Sequence, residues 1–424
     1  MHLCAPKGGR SVVSAIAATW LSLAVAAHAS STAVPEYGLA FKLTVEAGQS
    51  RARASIVVDQ KEPLLLALRF RAPTDRFTDF NGDGTMARDG VFLTWEPPPQ
   101  GGKISYAVEI DNRRDSGSFD ALVATNWAIL KGDDVFPAAR TRQIAGAVSK
   151  TTLHLRLPDH WSAVTPYPGH LRTGYEVVNP NRKFDRPTGW LLLGRLGVRR
   201  DVISGVEVAV AAPVGAGVER LGMLALIRWT LPQMLAEMVD RPSQLTLVSA
   251  PDPMWRGGLA AGNSLYVHAD RPLLSENGTS TLVHEMIHVL MPVPAADDHD
   301  WIDEGIAEYL CLRVLSDTGT IARERFDAAI ADFRKRGSAV ASMRSSTAGG
   351  AIKARAVAVF HDLDHELQAA SHGEADIFTL MRKMMVTAEP LDLEGLRALA
   401  RTVAGSVSLD ALSDASVPGF KLMQ

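Results

Sequence analysis

Ten residues, Thr281-Leu-Val-His-Glu-Met-Ile-His-Val-Leu290, constrain this chain more than any others. They are apolar on every side except one stripe carrying His284, Glu285 and His288, and a polar stripe in an apolar helix has to find a partner. At 3.6 residues per turn the two histidines are offset by about 40°, so both rings can present neutral nitrogens to one metal ion. Glu285, next along the rim, would then reach a water molecule beside that ion. Thr279 and Ser280 offer an N-cap, and Pro292 and Pro294 stop the helix after Leu290. The spacing predicts a buried helix equipped to hold zinc and hydrolyse a bond.

A catalytic zinc takes three protein ligands and keeps one position open. Fifteen residues separate His288 from Glu304, enough for a proline-bearing loop and a second helix that returns to face the first. Glu304, within Trp301-Ile-Asp-Glu-Gly-Ile-Ala-Glu-Tyr309, is the expected third ligand. Glu308 lies one turn further on the same face, where a carboxylate accepts the free ring N–H of a ligating histidine and fixes its tautomer. Apolar residues interleave with both acids at helical spacing, which favours a packed helix over a solvated one. His299, in the polar run Asp297-Asp-His-Asp300, is a lesser candidate ligand. The extended zinc pattern that adds a glycine and a third histidine fails on Met291 and Pro294.

Together with Trp255-Arg-Gly-Gly-Leu-Ala-Ala-Gly-Asn-Ser264 upstream, these blocks make residues 185–385 resemble the gluzincin metallopeptidases. Within them the resemblance is to the glycyl-aminopeptidase-like branch, a distant relative of aminopeptidase N. It implies a thermolysin-like catalytic domain, a Zn2+ cofactor, a peptide or protein substrate, and Glu285 as general base. It also implies a cleft rim where Gly257, Gly258 and Asn263 hold the substrate backbone. Relatives carry at the position of Ala260 a glutamate that grips a free amino terminus, so here free termini are not expected to be strongly preferred. They also place an oxyanion-binding tyrosine in a Tyr-x-Lys-Gly context, whereas the matching stretch, Ala351-Ile-Lys-Ala-Arg-Ala356, has none. Arg355, His361 and His365 are candidates for that donor. Tyr309, about 140° around the helix from Glu304, should point away. The alternative is a non-catalytic peptide- or cell-wall-binding protein that keeps the fold; against it stands Glu285, which a purely structural zinc would not need.

The remaining chain frames this site. Residues 1–29 read as a signal peptide, with Lys7 and Arg10, an apolar run, and Ala27-His28-Ala29 as a cleavage site. The run is short for a membrane span. Its removal leaves Cys311 as the sole cysteine, so no intrachain disulfide forms, which suits a bacterial periplasmic or secreted protein. Net charge moves only from −3 to −5, and no basic block suggests nucleic acid. The length predicts an α+β multidomain chain. Short alternating runs at 39–45, 54–58, 64–70, 91–95, 104–110, 152–157 and 190–193 predict a β-sandwich-like domain over 30–195. An α/β lobe with the zinc helix is expected over 196–300, with 264–270 as its edge strand, and a helical lobe over 301–424. Asp79-Phe-Asn-Gly-Asp-Gly84 imitates the start of a calcium loop, but Gly90 stands where the bidentate glutamate belongs, which favours a hairpin turn. His361-Asp-Leu-Asp-His365 spaces two histidines by one turn without the motif glutamate, favouring a partly exposed helix face over a second metal site.

Overall fold

The computed structural model describes residues 34–178, 184–238, 240–405 and 408–420; the expected signal segment lies outside them. Among the described residues no helix is long and apolar enough to cross a membrane.

Alternation of apolar residues with small or polar ones gives the first half its strands. In Glu36–Thr44, Tyr37, Leu39, Phe41 and Leu43 all point inward, the period-two pattern of a half-buried strand. This strand pairs antiparallel with Arg51–Asp59 and parallel with Val148–Arg156, inside a seven-stranded sheet. A four-stranded sheet (Ala139–Gln143, Leu65–Arg71, Phe92–Glu96, Thr85–Asp89) and a five-stranded sheet built on Phe119–Val123, Trp127–Lys131 and Trp190–Gly194 share the same core, which holds Phe41, Phe70, Trp95, Leu130 and Leu193. The domain therefore has three sheets around one core where the sequence suggested a sandwich. Of the third sheet the sequence marks 190–193 but not Trp127–Lys131, which is covered on both faces: Leu130 faces the first core and Ile129 another, so no alternation marks it.

The calcium-like segment is the end of strand Phe77–Gly82 and the bend that carries the chain into Thr85–Asp89 of another sheet, where a hairpin turn was expected. Its acids have protein partners: Asp79 pairs with Arg51 at 2.9 Å, and Asp83 accepts the Lys103 amide at 2.9 Å. Gly84, at φ 79°, leaves no room for a side chain, since a Cβ would lie 2.1 Å from the Glu96 carbonyl.

Beyond residue 195 a mixed sheet runs in the order Leu196–Ile203, Val206–Pro213, Gln244–Val248, Ser264–Val267, Gly258–Ala261. Ser264–Val267, expected at the edge, is interior; the edge strand is Gly258–Ala261, which a turn at Gly262 folds back against it. Gly-Leu-Ala-Ala, with three small residues in four, gives this rim strand no β signal of its own. Helix Arg220–Ala236 and the motif helix Thr281–Leu290 pack on the sheet, followed by helices Trp301–Asp317, Arg323–Gly337, Gly350–Ala370, Ile377–Met384 and Leu393–Ala404. One continuous core runs from Val210 and Leu247 in the sheet to Trp301, Phe360 and Leu396 in the helices.

A third apolar cluster, including Ile129, Trp190, Leu192, Val248, Met254 and Tyr266, joins the β-domain to the mixed sheet. This junction also fixes the rim strand. The Trp190 indole donates to the Leu259 carbonyl at 2.8 Å, and the Phe119 carbonyl accepts the Trp255 amide at 2.9 Å.

Candidate metal centre and cleft

A cavity of about 1110 Å³ lies between the motif helix, helix Trp301–Asp317 and the rim strand. The motif helix starts where the Ser280 hydroxyl accepts the Val283 amide at 3.4 Å, and it drives Leu282, Val283, Met286, Ile287 and Leu290 into the core. What remains for the cleft is the polar stripe, of which His284 and Glu285 are buried.

His284 Nε2 and His288 Nε2 lie 3.1 Å apart. Glu304 comes from the facing helix, its Oε2 3.5 Å from His284 Nε2 and its Oε1 3.6 Å from His288 Nε2. On the far side of each ring sits a carboxylate: Glu308 is 2.8 Å from His284 Nδ1, and Asp303 is 3.2 Å from His288 Nδ1. With His288 Nδ1 donating to Asp303 and His284 Nδ1 set against Glu308, both rings in their neutral form turn a lone pair toward one point. Two lone pairs and a carboxylate that converge in this way repel one another unless a cation lies between them. The donor set His284, His288 and Glu304, all within 4.8 Å of one another, thus fits a zinc ion by its chemistry.

The electrostatics favour positive charge at the same point, as a proton on His284 or as a cation between the donors. Burial disfavours charge on His284, but its bonds to Glu304 and Glu308 outweigh that and raise its pKa to about 10. Burial likewise opposes ionisation of Glu304, yet His284 and Lys353 bring it down to about 2. Glu285 is different: burial pushes its carboxyl up, only partly offset by the two histidines. It is the one carboxyl of the stripe with raised proton affinity, and it faces the cleft without belonging to the ligand set.

The rim strand approaches this carboxylate closely. A Cβ on Gly258 would lie 2.6 Å from Thr281 Cγ2 and 2.7 Å from Glu285 Cγ, so contact between strand and helix requires glycine. At Gly257 a Cβ would meet the Trp255 ring at 2.2 Å. The Trp255 indole in turn lies under the Arg114 guanidinium of the β-domain, 4.0 Å from its centroid. Gly257, Gly258, Trp255 and Ala260 line the cleft. Asn263 does not; it sits in the hairpin turn, where its carbonyl accepts the Thr246 amide at 3.2 Å.

Other expected residues lie elsewhere. Arg355 donates to the carbonyls of Ser416 and Ala415, His361 contacts Arg334, and His365 is exposed, so none of the three lines the cavity. His299 stacks on Phe420. The His361–His365 segment contributes Asp364 instead, buried and accepting from Tyr309, Arg313, Gln368 and the Ile377 amide. Tyr309 thus points away from Glu304, into this brace. A second histidine–carboxylate group, Asp252, His268 and Asp270, is unsuited to a metal: His268 Nδ1 accepts the Asp270 amide at 3.1 Å, which puts the ring proton on Nε2, and Arg256 occupies Asp252.

Two functional residues were missed in the sequence. Asp303, immediately before Glu304, is hidden in the sequence because a neighbour is rotated about 100° on a helix; yet His288, one turn beyond His284, needs its own carboxylate. Lys353 lines the cleft and reaches Glu304 Oε2 at 3.2 Å. It falls in Ala351-Ile-Lys-Ala-Arg-Ala356, where its charge is the signal the sequence offers.

Compared with solved structures, the fold is similar to that of an aminopeptidase N family protein from Idiomarina loihiensis, with a TM-score of 0.63 and 14% identity over 82% of this chain and 70% of that one. At that identity the likeness is one of fold. No family model matches the sequence, and neither does any curated protein.

Proposed function

We propose that this chain is a zinc-dependent metallopeptidase, and the observation that carries the proposal is the convergence of His284, His288 and Glu304 beside an unligated Glu285. Zinc held by those three residues would supply a Lewis acid that makes water nucleophilic near neutral pH and polarises a carbonyl. The chain's own residues do the rest. The Glu285 carboxylate, whose burial raises its proton affinity, takes a proton from water and passes it to the leaving amine. Glu308 and Asp303 hold the two rings in the tautomers that ligation needs. The rim strand Gly258–Ala261, at the end of its sheet, takes an extended substrate as an added strand. Lys353 supports Glu304 and places a positive charge in the wall of the cleft, where the family resemblance left the oxyanion donor unfilled. With Ala260 in place of the acidic anchor, N-acetylated peptides should be cleaved about as well as free ones.

Digestion of a peptide library tests this. Cleavage that a chelator abolishes and zinc restores, and that Glu285→Gln lowers by roughly 10²-fold or more, is the expected result. Stoichiometric zinc without cleavage of any peptide would favour a binding protein that keeps the fold. Export to a bacterial periplasm belongs to the same proposal, resting on residues 1–29; N-terminal sequencing of the protein from a periplasmic extract should begin near Ser30.

A further inference from the structure

We infer that Arg271 selects substrates that carry a carboxylate about two residues from the scissile bond; this rests on the peptidase function proposed above. The cleft has two basic side chains in its lining, Lys353 and Arg271. Lys353 is engaged with Glu304 at 3.2 Å. Arg271 is exposed and forms no ion pair among the described residues. The nearby acids are committed elsewhere: Arg256 takes Asp252, and Asp270 lies 3.5 Å from the same guanidinium. Arg271 is nevertheless held in place. Its Nε donates to the Arg256 carbonyl at 2.9 Å, its amide donates to the His268 carbonyl at 3.1 Å, and Pro272 follows it. The two terminal nitrogens of the guanidinium are left with no protein acceptor among the described residues, a planar fork that matches a carboxylate.

Position supplies the register. The rim meets Glu285 at Gly258, and Arg271 is tethered at residue 256, two positions back along the same backbone. Residues 255–257 turn tightly, the Gly257 amide donating to the Trp255 carbonyl at 2.9 Å, so Arg271 stands beside the start of the rim, where an extended chain would meet it roughly two residues from the bond facing Glu285. Glu276 also lines the cleft, with no ion pair among the described residues, and would favour a cation, but no hydrogen bond among those residues fixes its side chain, so ordering it costs more than ordering Arg271.

The test compares matched peptides on the zinc-loaded protein: free against amidated C-termini, and Asp against Asn or Lys, two residues to either side of the cleaved bond. The carboxylate form should be favoured by roughly 10- to 100-fold in kcat/KM, and the arm that shows it tells an α-carboxylate from an acidic side chain. In Arg271→Ala the ratio should fall to about one, and Arg271→Lys should restore only part of it. The same ratios, read as Kd by calorimetry on Glu285→Gln, decide the matter even if nothing is cleaved, a result that would count against the peptidase function alone. A ratio near one in the parent protein, a ratio that Arg271→Ala leaves unchanged, or a preference for Lys would overturn the assignment.

Discussion

Gly258 shows how much one missing methyl group decides at the residue scale. Alanine there would press on Thr281 and Glu285 at under 3 Å and push the rim from the motif helix. Gly258→Ala should lower kcat/KM by roughly 10²-fold, as displacements of about 1 Å do, while zinc content stays at one equivalent. The carboxylates behind the rings should behave in the opposite way. Asp303→Asn or Glu308→Gln should weaken zinc binding by about 10- to 100-fold in a chelator competition, because each orients one ring. His284, Glu285, His288 and Glu304 were legible because helical periodicity alone puts the first three on one stripe and the chemistry of zinc asks for the fourth. Asp303 and Lys353 were not. Asp303 works through His288, and Lys353 comes from a helix that only tertiary packing brings to Glu304.

At the scale of elements, the helices were the easier part. The apolar period announces a helical lobe over 301–424, and five helices stand there, each burying one face in a common core. The rim strand was misplaced because its residues are small and its partner, Ser264–Val267, carries the apolar signal for both. The motif helix depends on its first turn: Ser280 caps it through its hydroxyl, and its backbone amide and carbonyl both touch the buried Cys311 sulfur. Ser280→Ala should cost about 1 kcal/mol of stability, read as a lower melting temperature of the metal-free protein. Excess zinc should stabilise parent and variant by the same increment and leave the difference between them in place, since a ligand that binds only the folded state adds equally to both.

Across the whole molecule, the β-domain does more than precede the cleft. It holds the rim strand from outside, through Trp190 at the Leu259 carbonyl and Phe119 at Trp255. No local pattern could announce a bond between residues sixty-nine positions apart, which is why the sequence yielded two regions without the dependence of one on the other. Trp190→Phe keeps most of the apolar contact and deprives Leu259 of its donor. It should raise KM several-fold and destabilise the protein by about 1–3 kcal/mol, with zinc content unchanged. Trp255 has a further consequence. Its indole stands half-exposed at the mouth of the cleft between a glycine and the Arg114 guanidinium, whereas Trp95, Trp190 and Trp301 are sealed in the interior. The molecule thus carries its own optical probe: occupancy of the cleft would change the solvent and the field around one chromophore, and its emission would report arrival and departure of a peptide without any label.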